Sequence, residues 1–258
     1  MIPLTHDSLL QQFKTIGIKE KQIIVHCSLS KMGWVVGGAE VVIQALIQAI
    51  GSNGTLIMPT QTWKNLDPSR GVYDVPKSYW SIIRKHSPAY NPATTPSIGM
   101  GVVAELFRTF PGVKRSSHPV RSFAALGANA EWLVNKHVLK DVFGNSSPLG
   151  KLYDLDGYIL LIGVDHSVNT SLHLAEHRAN YLGKSYVRES SAISIDGKRK
   201  WVTYQTLDLK ADDFATIGDA YETAYKIPLY QLGQATVRLI KQRLLVDWAV
   251  NWMEQYRE

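Results

Sequence analysis

The segment Asn169–Gly183, NTSLHLAEHRANYLG, places His173, Glu176 and His177 within five residues. On a helix, residues three apart are neighbours, so the Glu176 carboxylate can orient the His173 imidazole and adjust its basicity. With Asn169 or Thr170 as N-cap, His173 falls in the first turns, where the helix dipole disfavours imidazolium and keeps the ring neutral. A neutral, oriented histidine is a general base for an amine or a hydroxyl. The same letters spell H-x-x-E-H, the inverted zinc-peptidase pattern, with His173 and His177 as ligands and Glu176 as base. That zinc-dependent hydrolase needs a third protein ligand, for which Glu189 and Glu222 are the downstream glutamates before the C-terminal helix. The plainest alternative is an ordinary His/Glu pair on the face of an amphipathic helix.

A second group of residues suits an anion. In HCSLSKMGWVVGG, Ser28 and Ser30 stand at the end of an apolar run, followed by glycines and a helix-like stretch. Hydroxyls and backbone N–H groups at a strand-to-helix turn can hold a phosphate or pyrophosphate. Neither G-x-G-x-x-G nor a Walker pattern is present, which argues against a dinucleotide oxidoreductase or an ATPase. Cys27 beside His26 could be a nucleophile, but neighbours on a strand face opposite ways, so the thiol reads as core. In SSHPVRSF, His118 with Arg115 and Arg121 offers either a phosphate contact or a rigid surface turn. Asp67, Asp74 and Asp165 fall in loops and could receive a cationic substrate or be ordinary solvated acids.

The elements that must position these residues follow a regular order. Leu9, Leu10, Phe13 and Ile16 have helical spacing, with Gly17 as a stop. QIIVHCSL, a glycine-containing loop, a helix from about Ala39 to Ile50 and the strand GTLIMPT then make a βαβ unit with a parallel pair. Residues 61–91 form a long ordered excursion rich in Trp, Pro and Tyr. A helix ending before Pro111, the strand SFAALG and a second βα unit, DGYILLIGV with the histidine segment, come next. SAISIDGKRKWVTYQTLD reads as an antiparallel hairpin about Asp196-Gly197. In the last stretch Val237, Ile240, Leu244, Trp248 and Trp252 align on one helical face, as a core stripe or a subunit contact. The fold class expected is α/β, a mixed sheet with parallel βαβ units flanked by helices plus an antiparallel hairpin.

Composition sets the outer bounds. The chain has 258 residues, 45% of them hydrophobic, enough for a core of ordinary size. One cysteine excludes an intrachain disulfide framework, and the N-terminus lacks the marks of a secretory leader, so a cytoplasmic protein is expected. No apolar run is long enough to span a bilayer. A net charge of +6 favours an anionic ligand. A basic anion- or nucleic-acid-binding module is the non-enzymatic alternative, although no nucleic-acid-binding motif accompanies the charge.

Four blocks, residues 25–63, 115–127, 147–179 and 238–253, resemble in order and spacing the aminoglycoside 3-N-acetyltransferases, an antibiotic acetyltransferase family outside the GNAT fold. The resemblance covers most of the chain from about residue 20 and implies one domain over 1–258. It implies an acetyl-coenzyme A-dependent N-acetyltransferase acting on an aminoglycoside or related amino compound, with no metal, no nucleic acid and no membrane partner. A homo-oligomer is compatible with it. Coenzyme-binding residues fall on Ser28, Leu29, Ser30, Gly33, Trp34, Val35, Ser122 and Phe123. The resemblance makes His173 the base and Glu176 its orienting acid. Asp67, Asp165 and His166 are the candidates for acceptor binding, His166 through acceptor choice. The net charge suits coenzyme A better than a polycationic acceptor, unless an acidic cleft reverses the local field.

Overall fold

The computed structural model describes residues 2–257. It opens with α1 (His6–Ile16), capped by the Thr5 side chain and ended by Gly17 in the left-handed region. β1 (Gln22–Cys27), α2 (Gly38–Ile50) and β2 (Thr55–Pro59) form the first βαβ unit, with β1 and β2 parallel. The excursion after β2 consists of short 3-10 turns and α3 (Trp80–His86), followed by α4 (Gly101–Phe107). β3 (Lys114–Arg115), β4 (Phe123–Gly127), α5 (Ala130–Val134) and α6 (Pro148–Asp154) lead to β5 (Tyr158–Ile162) and α7 (Leu172–Arg178). The hairpin β6 (Tyr186–Ile195) and β7 (Lys198–Leu207) follows, turning at Asp196-Gly197. The chain closes with α8 (Phe214–Tyr225), β8 (Leu229–Leu232), β9 (Ala235–Lys241) and α9 (Gln242–Tyr256).

Seven strands make one mixed sheet in the order β3-β4-β2-β1-β5-β9-β8, and β6 and β7 stand apart as a ribbon. β1 pairs in parallel with both β2 and β5, while β4 and β9 run antiparallel on the outer sides. Strand alternation divides the interior. Ile23 and Val25 face a core built with α1, α2 and α4, and Ile24 faces a second core built with α5 to α9. Ile159 to Ile162 of β5 are all buried, as expected of a central strand covered on both faces. The α/β class and the separate hairpin follow the expectation.

Two local expectations are corrected. Val237 and Ile240 belong to β9, whose alternating apolar residues pair with β5 and β8, so the last helix begins only at Gln242. Its buried face is Leu245, Val246, Ala249 and Met253, leaving Trp248 and Trp252 half-buried and Leu244 exposed. SSHPVRSF is no surface turn. His118 is fully buried, its Nδ1 accepting the backbone N–H groups of Val120 and Arg121, and Arg121 makes a buried two-point ion pair with Glu189 of the hairpin at 2.6 and 2.8 Å.

Candidate active site

The carboxyl ends of β1, β2 and β5 lie along one rim, with β1 between parallel neighbours reached by crossovers in opposite directions. At such a switch point the loops leave the sheet apart and a crevice opens. A cleft of about 1000 Å³ occupies that place, bordered by the segments following these strands and by the start of α4.

One wall is the loop after β1. The Ser28 N–H donates to the Ile162 carbonyl at 2.9 Å, tying the loop to β5, and the Ser28 and Ser30 hydroxyls lie 3.2 Å apart. From the other side Leu4 exchanges backbone hydrogen bonds with Trp34 and Val36, so the N-terminal segment braces the loop. Gly37 has a φ of 78°, and a Cβ there would lie 2.5 Å from Val41 Cγ2; only glycine turns the chain into α2 at this point. Ser28, Leu29, Ser30, Gly33, Trp34 and Val35 all line the cleft, and Trp34 is 66% exposed at its edge. Hydroxyls, backbone without Cβ atoms and an exposed indole suit a long ligand with anionic and apolar parts.

The opposite wall carries His173. Its Nδ1 is 2.7 Å from Glu176 Oε2, and its ring is stacked on Phe143 (centroids 4.9 Å, 8° between planes) and meets Phe214 edge-on at 4.7 Å. Glu176 is fully buried. Its other oxygen accepts the Lys210 N–H at 2.7 Å and the Arg257 guanidinium at 2.9 Å, and Arg257 is held in turn by Asp213. A charged, fully bonded carboxylate favours the proton on Nδ1, which leaves Nε2 with its lone pair. The helix entrance differs from expectation. α7 begins at Leu172, and Ser171 before it makes no side-chain cap; Asn169 Oδ1 instead takes the Ser171 N–H at 3.1 Å, the two-residue reach of an Asx turn.

The remaining sequence candidates fall elsewhere. Ser122 is buried, its hydroxyl donating to the Thr60 carbonyl and accepting from Arg115, and Phe123 lies in the core edge-on to Phe143. Neither lines the cleft. Asp67 caps a 3-10 turn and pairs with Arg84, whose guanidinium holds the carboxyl down at about 2. Asp165 is exposed but spends its carboxylate on Ser167, which itself borders the cleft. His166 is fully buried, with Nε2 on Glu222 and Nδ1 on Asn169. His177 faces Asp141 at 3.7 Å, while His173 faces Glu176. Among the described residues no three His, Cys, Asp or Glu side chains converge as a cation site, so the zinc reading lacks its ligand set. The Cys27 thiol packs 3.9 Å from Met32 Sδ, and burial pushes it up to about 12.

Some lining residues were not singled out from sequence. His26 borders the cleft from β1, pushed down to about 3 by burial and by the nearby His166, with Nε2 unpartnered. Met100, Gly101 and Val103 at the start of α4, Trp63 and Phe214 complete the enclosure. The closely spaced glycines of SIGMG were the available signal, since both Gly99 and Gly101 take positive φ. Arg257 and Lys210, which hold Glu176, carry no signature because they meet it only through folding.

Fold and site together define an α/β protein with a ligand-sized cleft and a carboxylate-bound histidine at the carboxyl edge of a mixed sheet. The family model for aminoglycoside 3-N-acetyltransferase matches residues 24–254. The chain is 41% identical over 253 residues to the SPbeta prophage-derived aminoglycoside N(3')-acetyltransferase-like protein YokD of Bacillus subtilis, covering 97% of this chain and 92% of the relative. It is 34% identical to aminoglycoside N(3)-acetyltransferase III of Pseudomonas aeruginosa, covering 98% and 94%. The YokD crystal structure superimposes with a TM-score of 0.96 at 40% identity, covering 99% of this chain and 95% of that one. AAC-IIIb in binary complex with CoASH does so at 0.87 and 29% identity, covering 98% and 97%. The chain belongs to the aminoglycoside 3-N-acetyltransferase family and is an acetyl-coenzyme A-dependent acyltransferase.

Proposed function

We propose that this protein moves an acetyl group from acetyl-coenzyme A to an amine of an aminoglycoside or a related amino compound, with His173 as the general base. The observation that carries this reading is the 2.7 Å contact between His173 Nδ1 and the buried Glu176, at the wall of the cleft that Ser28–Val35 border. The loop provides hydroxyls and glycine backbone for the coenzyme, in keeping with the CoASH complex of the AAC-IIIb relative. In the reaction the thioester carbon exchanges its C–S bond for a C–N bond, and the coenzyme leaves as the free thiol.

The residues of the chain do the rest. His173 Nε2 accepts the proton that the amine sheds as it attacks, and passes it toward the departing sulfur. Glu176 keeps the ring in the required tautomer and stabilises its transient charge. Phe143 and Phe214 limit ring rotation and keep water from two of its sides. The relative AAC-VIa, 30% identical with a TM-score of 0.90 over 98% of each chain, is described bound to sisomicin, which supports an amine of that class as acceptor. Asp165, which does not itself line the cleft but bonds the cleft-bordering Ser167, is the acidic residue we assign to drawing in a cationic acceptor. The chain acts as one domain in the cytoplasm; among the described residues no helix is long and apolar enough to cross a membrane.

Release of free thiol from acetyl-coenzyme A, followed with sisomicin, other aminoglycosides and simple diamines, tests the reading. Thiol release that depends on an aminoglycoside, with the acetylated product identified by mass spectrometry, is expected. Turnover with simple amines alone would move the acceptor outside the aminoglycosides.

A further inference from the structure

His166 is fully buried and lies off the cleft, yet its ring is held at both nitrogens. Nε2 is 2.9 Å from Glu222 Oε1 on α8, and the same oxygen accepts Arg238 Nε from β9. The carboxylate fixes the ring proton on Nε2, which makes Nδ1 an acceptor. Asn169 Nδ2 donates to Nδ1 at 3.2 Å, and that contact settles which way the amide faces: its Oδ1 is left to take the Ser171 N–H at 3.1 Å. The backbone repeats the connection, with the Asn169 N–H on the His166 carbonyl at 3.0 Å.

Ser171 is the residue from which α7 starts. That helix has seven residues and no other side-chain cap at its entrance, and His173 is its second residue. The His173 N–H donates to the Thr170 carbonyl at 3.1 Å, so the position of the ring follows the path of residues 166–170. Packing enforces the same arrangement. A Cβ on Gly218 of α8 would lie 1.9 Å from His166 Cγ, so the helix leaves room for this ring where any other residue would displace it.

We infer that Glu222, His166 and Asn169 form a positioning relay that sets the entrance of α7 and, through it, the place of the His173 ring in the reaction chamber. The inference rests on the proposed role of His173 as base. His166 is thus a positioning residue that never touches the acceptor. The relay works by fixing a tautomer and an amide orientation, so an uncharged acceptor at position 222 suffices. The effect belongs to the chemical step, because a reacting group misplaced by about 1 Å can cost on the order of 10²-fold in rate.

The test measures kcat per coenzyme A-binding site, the KM for acetyl-coenzyme A and the thermal midpoint in the full chain, using the best acceptor of the panel above. His166→Phe keeps a ring of similar size and removes both nitrogens. Its kcat per site is expected to fall by about 10- to 100-fold while the KM stays within about twofold. Glu222→Gln, whose amide oxygen can still accept from Nε2, is expected to stay within about threefold of wild type. A purely structural role would lower the midpoint and the fraction of coenzyme-binding protein, with kcat per site unchanged. Wild-type kcat per site in His166→Phe would overturn the relay, as would equal damage from Glu222→Gln. Should His166→Phe fail to fold, Asn169→Asp carries the same test: it keeps the acceptor for Ser171 and loses the donor to His166, and wild-type kcat there overturns the relay. His173→Ala is run alongside. Wild-type turnover in it would remove the base and the relay together, whereas an inactive His173→Ala beside a fully active His166→Phe would remove the relay alone.

Discussion

His173 and His137 sit on two sides of the same aromatic wall, Phe123 against His137 and Phe143 against His173, and they are bonded in different ways. His137 is buried with both nitrogens taken, Nε2–H by the Val142 carbonyl and Nδ1 by the Ser116 hydroxyl. Burial outweighs the partial compensation from the Val142 carbonyl and Asp141 and pushes it down to about 4; burial likewise drives its neighbour His118 well below the ordinary value. His173 has a carboxylate on one nitrogen and the cleft before its other edge. His173, its side chain 15% exposed against the 4% of buried His137, thus combines partial exposure with a bonded acid and an open nitrogen, which is what marks it as the candidate base.

The widest gap between the two regions should appear on removing that acid. Glu176→Gln loses the charge that fixes the tautomer and leaves Arg257 short of a partner; thiol-release assays should show kcat reduced by about 10² or more. On the inert side the matching change is Glu189→Gln, which strips the charge partner from the buried Arg121. Chemical denaturation should show a loss of about 3–5 kcal/mol, with kcat of the folded fraction unchanged. Next in size is a pH effect. His137 has a folded value near 4 against an ordinary 6.5, so the unfolded chain binds the extra proton between them. Its contribution is present above pH 6.5 and is lost as pH falls toward 4, about 3 kcal/mol in all, and His137→Gln should flatten the stability profile over that range by a similar amount. The smallest effect is expected from Trp34→Ala at the cleft edge, a rise of roughly threefold in the KM for acetyl-coenzyme A with an unchanged thermal midpoint. A large rise in kcat defects there would blur the separation between holding the coenzyme and moving the proton.

What could be read in the sequence divides along physical lines. β1, α2, β2, β5 and the hairpin were legible because apolar period and glycine or Asp-Gly punctuation are local signals. So was the pairing of His173 with Glu176, since helical spacing alone brings positions three apart together. Val237 and Ile240 misled because a strand running straight into a helix keeps apolar residues at spacings that fit both periods. His118, Arg121 and Glu189 could not be placed, since a buried ion pair across 68 residues has no local trace. His166 looked like a loop residue near a site and proved to be sealed beneath it. Only the packing of α8 and β9 against the loop determines that.

We propose that one oriented histidine, His173, moves the proton. Thiol release by His173→Ala beside wild type, with coenzyme A affinity measured on the same samples by calorimetry, tests it most directly. A loss of about 10²- to 10⁴-fold in kcat with coenzyme affinity nearly unchanged is expected; turnover equal to wild type would rule His173 out as the base.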